Sequence, residues 1–360
     1  MSKLYPVGVQ NFEKVILGGY EYVDKTALIY ELFNTGSYYF LSRPRRFGKS
    51  LLLSTLEAYA QGKKELFKGL ALEKLEKDWT VYPVLHLDLN TQKYDSPESL
   101  TSILNDNLCN WESRYGARES ETSLSLRFQG LIRRTCEQTG RRVVILIDEY
   151  DKPMLQAIGN EALQNEYRST LKAFYGALKS MDGCIRFALL TGVTKFGKVS
   201  VFSDLNNLRD ISMIDQYAEI CGISEKEVHA YFEEDIHELA TATGMSYEQA
   251  CAELKANYDG YHFTENAVGM YNPFSLLNTF ANRRFGSYWF ETGTPTYLVE
   301  LLKLHHYPIE DLEHIVTSQP VLDSIDTAST DPIPVIYQSG YLTIKGYNKM
   351  FENYTLGFPN

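Results

Sequence analysis

The sequence is poor in the residues that staple small extracellular folds. It has five cysteines, Cys109, Cys136, Cys184, Cys221 and Cys251, an odd number, set far apart and without a C-x-x-C pair. That excludes a disulfide framework and a thiolate zinc site, and fits a reducing compartment. No apolar run approaches the length of a membrane span. The opening residues MSKLYPVGVQ do not read as a secretory leader, so the expected location is the cytoplasm. A basic excess is missing too. Thirty-five Lys and Arg against 46 Asp and Glu leave a net charge of -11, which argues against global attraction to nucleic acid or an anionic membrane. Basic residues cluster only locally, at Arg43, Arg45 and Arg46, and at the pairs Arg133-Arg134, Arg141-Arg142 and Arg283-Arg284. All but the first cluster read as solvated faces or helix ends. Low-complexity tracts and clear internal repeats are absent.

What is present is an ordinary soluble composition, 44% hydrophobic and 22% charged over 360 residues. Such a chain can bury a sizeable core and divide into two or three domains. Short apolar segments alternate with longer helical ones through about residue 215. SYYFLS (37–42), VYPVLHLDL (81–89), RVVILIDEYD (142–151) and CIRFALLTG (184–192) read as strands. The third is a β-branched run with no polar alternation, the pattern of a strand buried on both faces. GKSLLLSTLEAYAQG (48–62), residues 97–139 and residues 161–183 read as helices, each closed by a glycine. This alternation predicts an α/β fold with a mostly parallel sheet and helices on both faces. After about residue 215 the strand signals fade. Ser224 with Glu227, and Ser246 with Gln249, have the spacing of capping boxes at helix starts. The expected division is a core over 1–218, a small helical domain over 219–300 and a mixed segment over 301–360, in which YLTIKGY (341–347) reads as a late strand.

Two motifs carry chemistry. The first is RPRRFGKS (43–50), between a predicted strand and a predicted helix. A strand, a tight loop and a helix N-terminus turn backbone N–H groups toward one point, which suits a phosphate. Gly48 lets the backbone approach closely. Lys49 reaches the β- and γ-phosphates, and the Ser50 hydroxyl holds magnesium. The phosphate-binding set is Arg43, Pro44, Arg45, Arg46, Phe47, Gly48, Lys49, Ser50 and Leu51. The usual loop, the Walker A pattern, begins with glycine, and here Arg43 stands in that place. Arg43-Pro44 stiffens and extends the loop entry, and extra guanidinium groups near a triphosphate are electrostatically favourable. The second motif is the strand end Asp148-Glu149, a Walker B pattern. In nucleotide hydrolases the aspartate holds magnesium and the glutamate is the general base for the attacking water. Either motif alone arises by chance fairly often. Both together, in this order and on these elements, point to a phosphoryl-transfer site. At the next strand end Thr191, and second Thr194, could sit beside the γ-phosphate, although a threonine satisfying its own turn is an equal reading.

Further segments recur in one order: YVDKT (22–26), LFKGL (66–70), LNNLRDIS (205–212), YDGYHF (258–263), YNPFSLL (271–277) and GYLTIKGY (340–347). With the two motifs, they resemble the predicted AAA-ATPase-like family over essentially the whole chain. Within that family RPRRFGKS is the normal loop. The resemblance implies a P-loop NTPase core followed by a helical lid, with ATP and Mg2+ as ligands. Many members continue into a PD-(D/E)XK nuclease domain. The E-x-K match Glu253-Leu254-Lys255 lies in a predicted helix and is rejected as that site, so a nuclease activity would belong to another domain or a partner protein. By position, Asp24, Lys25 and Thr26 lie where such ATPases contact the base. Arg209 is a candidate γ-phosphate sensor or arginine finger, against a plainer ion pair with Asp210. A finger in trans would require a homo-oligomer. Asp259 and His262 read as a turn and lid packing. The leading expectation is Mg-dependent ATP hydrolysis. The alternative is an ATP-gated regulatory module with little turnover, and the question of a nucleic-acid client is left open.

Overall fold

The computed structural model describes residues 3–195, 201–203, 205, 207–266, 268–291, 298, 299, 302, 303, 312–323 and 331–360. Parts of the segment expected over 301–360, and Phe196 after the fourth strand, lie outside the described residues.

Five parallel strands form the central sheet: β1 Tyr38–Ser42, β2 Val84–Asp88, β3 Val143–Asp148, β4 Ile185–Gly192 and the two-residue β5 Arg209–Asp210. Their spatial order is β2-β3-β4-β1-β5, and each neighbouring pair is parallel. The expected α/β core with a parallel sheet is what the chain forms.

The apolar runs split as a doubly covered strand must, because alternate side chains leave opposite faces. Val143, Ile145 and Ile147 of β3 enter one apolar cluster with the helices Pro97–Tyr115, Leu124–Thr139 and Glu161–Ser180. Val144 and Leu146 enter another with the helices Thr26–Thr35 and Lys49–Ala60. The helix expected over 97–139 is in fact two. The first stops at Gly116, whose φ of 80° is easy only for glycine, and the second restarts where the Ser123 hydroxyl accepts from Leu126 N–H.

Beyond the sheet, helices Glu225–Thr243, Tyr247–Tyr258 and Pro273–Asn282 enclose a third cluster. Both capping boxes are formed, at Ser224 with Glu227 and at Ser246 with Gln249. A short antiparallel pair, β6 Ile223–Ser224 and β7 Met270–Tyr271, ties the ends of this three-helix unit together. Near the end of the chain β8 Ile315–Ser318, β9 Thr343–Asn348 and β10 Asn353–Gly357 make an antiparallel sheet ordered β8-β10-β9. Among the described residues no helix is long and apolar enough to cross a membrane.

Candidate nucleotide site

The C-terminal ends of β1, β3 and β4 meet at one edge of the sheet, where ligand crevices of parallel sheets lie. The loop leaves β1 and closes into the helix that starts at Lys49. Gly48 is the turning point, with φ 96° and ψ 15°, a conformation strained for any residue with a Cβ. Arg46 is also left-handed, at φ 65°.

Arg43 is 2% exposed. Its Nη1 donates to the carbonyls of Ser42 at 2.9 Å and Ser212 at 2.7 Å, and its Nη2 to Tyr217 at 3.2 Å. The guanidinium lies 4.1 Å from the centre of the Phe263 ring. The side chain is thus spent on the protein interior, and burial lowers its pKa from the ordinary value. Its backbone still opens the loop, with Arg43 N–H donating to Gly192 O at 3.2 Å. Pro44 and Phe47 are buried as well, and Phe47 packs edge-on against Tyr261 and Phe263. Three of the expected loop residues therefore hold the loop's shape with their side chains.

The remaining ones face a cavity of about 590 Å³ lined by Arg45, Arg46, Gly48, Lys49, Ser50 and Glu149, together with Lys152. Lys49 Nζ donates to the loop carbonyls of Arg43 at 3.0 Å and Pro44 at 3.2 Å, so the ammonium hangs within the arch that a phosphate would fill. Ser50 Oγ donates to Asp148 Oδ2 at 2.5 Å, and Thr191 Oγ1 donates to Asp148 Oδ1 at 2.6 Å. Ser50, Asp148 and Thr191 thus form one chain of oxygen atoms, running from half-buried Ser50 to buried Asp148 and Thr191. Hydroxyl and carboxylate oxygens are the donors that a hard divalent cation such as magnesium takes, and Ser50 with Asp148 would hold it.

Glu149 follows directly. Its φ is 52°, a left-handed conformation that a side chain with a Cβ adopts only when its surroundings hold it there. Burial raises its carboxyl pKa above the usual carboxylate range; Lys49 and Arg45 pull it down, and Asp151 and Asp148 push it up. A carboxyl shifted in this direction has the property that a general base for water would need.

A second, narrow apolar slot of about 90 Å³ adjoins the cavity at Gly48 and Leu51, lined among others by Tyr22, Val23, Ile220 and Cys221. Lys25 borders it and is paired with Glu227 at 2.6 Å. Asp24 does not reach the slot. Its carboxylate accepts from Thr26 N–H, Thr26 Oγ1 and Ala71 N–H, which fixes the start of the helix Thr26–Thr35.

Arg209 stands apart. It is an exposed residue of the edge strand β5, level with Tyr39, the second residue of β1, and does not line the cavity. Of the YDGYHF residues, His262 has its backbone bonded to Thr343 Oγ1 on β9, and Asp259 caps the helix Tyr247–Tyr258. They do not meet the cavity.

Several residues at the site were not singled out from the sequence. Lys152 is one; its Nζ donates to Asn90 O at 2.6 Å. The DEYDK run does place it one turn past Glu149, but spacing alone does not aim it at the cavity. Phe274, the second residue of the helix Pro273–Asn282, is another; the expected loop residue Arg46 stacks on it at 3.8 Å. Trp289 Nε1 donates to Arg45 O at 3.3 Å, and Ser339 and Tyr341 complete the wall. These contacts come from residues more than 200 positions away, and no local signal marks them.

Comparison with known sequences agrees with this geometry. The profile of a family described as "Predicted AAA-ATPase" matches residues 6–202. A protein of Azotobacter chroococcum mcd 1, described as "Uncharacterized protein in vnfD 5'region", is 38% identical over 362 residues, covering 99% of this chain and 68% of that protein.

Proposed function

We propose, from the premise that the chain belongs to the predicted AAA-ATPase family, that it binds ATP with magnesium and hydrolyses it. The observation that carries this reading is the oxygen chain Ser50–Asp148–Thr191 beside Lys49 and Glu149, at the mouth of a loop-and-helix phosphate cradle. Lys49, the loop amides around Gly48, and Arg45 and Arg46 would hold the phosphates. Ser50 and Asp148 would hold magnesium, which when bound neutralises phosphate charge and helps set the in-line geometry. Glu149 would take the proton of the attacking water, and Thr191 would fix Asp148 while lying close to the γ-phosphate end. The apolar slot beyond Leu51 suits a flat base, with Lys25 at its rim. On this reading the three-helix unit is a lid: Arg46 on Phe274 links it to the loop. The output would pass to a nuclease domain or partner protein, and a homo-oligomer would be needed for Arg209 to act in trans.

The test is ATP binding and phosphate release by wild type and Glu149→Gln with magnesium. The expected result is binding in both and release slowed by about 10²-fold or more in the variant. Equal release in both removes Glu149 from the base role. Binding without release in either favours a second reading, an ATP-gated module. That reading has support from the contacts of Trp289 and Gly340 with the loop, which give nucleotide occupancy a route to the C-terminal sheet.

A further inference from the structure

Asp151 is fully buried, two residues past Glu149, at the N-terminus of a single helical turn. Its Oδ2 accepts Thr194 N–H at 2.6 Å and Thr194 Oγ1 at 2.7 Å, and its Oδ1 accepts Val193 N–H at 3.3 Å. Two donors from one threonine converge on one oxygen. Only an acceptor-only group satisfies them without turning an N–H against an N–H, so an asparagine is a poor substitute. A buried carboxylate is costly unless such donors meet it.

The grip has a partner on either side. Tyr150 N–H donates to Thr191 O at 3.0 Å, Tyr150 OH donates to Thr194 O at 3.1 Å, and Lys152 N–H donates to Glu149 O at 3.0 Å. Gly192 is where the two segments cross most closely. A Cβ there would come within 2.6 Å of the Tyr150 ring and 2.8 Å of Asp151 Oδ1. The turn that carries Glu149 is therefore fastened to Thr191 in β4 and to Val193 and Thr194 just beyond it, and Glu149 itself is left-handed. Such a conformation is strained for a residue with a Cβ and persists only where its neighbours over-determine it.

We propose that Asp151 is a positioning residue, which by gripping Val193 and Thr194 holds the turn that keeps Glu149 in its left-handed conformation at the cavity. It acts through Glu149 and touches neither phosphate nor metal. The proposal rests on the hydrolase reading. It goes beyond that reading by assigning a second acid of the DEYD run to alignment rather than to metal binding.

The experiment measures Mg-ATP affinity, single-turnover phosphate release and the thermal midpoint for wild type, Asp151→Asn, Thr194→Val, Glu149→Gln and the double variant Glu149→Gln/Asp151→Asn. Asp151→Asn is expected to slow release by about tenfold to a hundredfold, the cost of a small misplacement of a reacting group, with affinity changed less than about threefold. In the Glu149→Gln background the same change is expected to cost less than about twofold, because its target is gone. Thr194→Val, which keeps the fold's volume and removes one donor, is expected to slow release by about threefold to tenfold; it decides the matter if Asp151→Asn does not fold. The proposal is overturned if release is unchanged in a folded variant, if the loss is the same in both backgrounds, or if it follows lost ATP affinity. Wild type that binds Mg-ATP without releasing phosphate overturns the hydrolase reading and this proposal with it. Wild-type turnover with an indifferent Asp151→Asn overturns only this proposal.

Discussion

Arg43 shows how a residue can look like a defect in a motif and be part of its construction. Its position in the loop is where glycine usually stands, and the sequence suggested added charge for a triphosphate. The side chain instead fills the interior and donates to three backbone carbonyls, of which Tyr217 O also accepts from Ile220 N–H at 3.2 Å. Nothing local announces this, because Ser212 and Tyr217 lie some 170 residues on. A return to the common pattern is therefore predicted to harm the protein. Arg43→Gly should lower stability by about 3 kcal/mol, the cost of leaving buried acceptors of a charged donor unpaired, seen as a lower midpoint in denaturant. An unchanged or higher midpoint would contradict the assignment. Glu149 gives a second residue-scale prediction. As a base it must be ionised, and its carboxyl pKa is raised by burial, so kcat/KM should rise with pH through a midpoint above the ordinary glutamate value of 4.5. Glu149→Gln should abolish that acid limb. A wild-type profile flat down to the ordinary carboxylate range would remove Glu149 from the role.

At the scale of elements, the sequence was most legible where periodicity and burial agree. The four long core strands lie within the segments that read as strands: β1, β3 and β4 are buried along nearly their whole length, and the edge strand β2 alternates buried and half-buried positions. The strand end Asp148-Glu149 was legible from the burial pattern too: acids after five buried apolar positions mark where a strand leaves the core. The break at Gly116 was less legible, since the apolar stripes of both helices continue across it onto the same sheet face. The edge strand β5 has only two residues and no pattern to read. One cross-element contact makes a pH prediction. His86 on β2 and Glu57 on the helix Lys49–Ala60 are 2.8 Å apart. Burial opposes both charges, yet the partner's bond and charge raise the His86 pKa and lower that of Glu57. The histidine's contribution is fully present below its unfolded value of 6.5 and is lost as pH rises through the raised folded value. The glutamate's contribution is present above its unfolded value of 4.5 and is lost as pH falls through the lowered folded value. The pair therefore contributes most between these two unfolded values. With side chains 26% and 32% exposed, the contribution should be about 0.5–1 kcal/mol. Glu57→Gln should remove that increment at about pH 5.5 and leave stability at about pH 8.5 nearly unchanged. Equal losses at both values would rule out a protonated pair.

At the scale of the molecule, the candidate nucleotide cavity has walls from three parts of the chain, and the C-terminal part is bolted to the residues that follow β4. Lys195 follows the Val193-Thr194 pair that Asp151 grips. It is 4% exposed and is paired with Asp210 at 2.9 Å and with Asp323. Its own N–H donates to Gln338 Oε1, and Gln338 donates to Leu322 O. The charge partners raise the Lys195 pKa against burial, which alone would lower it. Two residues past Gln338, Gly340 lies so close to Pro44 of the phosphate loop that a Cβ there would come within 2.7 Å of it. The loop and the segment after β4 thus each touch the same C-terminal turn, which gives a shift two routes to it. Lys195→Met should leave two carboxylates without their buried cation, and breaking such a pair costs about 3–5 kcal/mol. Because Asp210 and Asp323 are partly exposed, the lower end applies, and the loss should fall on the docking of the C-terminal sheet before it reaches the central one. Hydrogen exchange would separate the two: faster exchange in β9 and β10 with protection kept in β3 and β4 is the expected pattern. Uniform loss across both sheets would mean that the C-terminal part and the core unfold as one unit, and that Lys195 is a core residue rather than a bolt. Trp289, whose indole N–H holds the Arg45 carbonyl, supplies the matching signal from the loop. Its fluorescence should shift when Mg-ATP binds to wild type. The shift should survive in Lys195→Met while the protection of β9 and β10 no longer responds to nucleotide. A C-terminal sheet that still responds in that variant would show that the contact between Gly340 and Pro44 carries the coupling by itself.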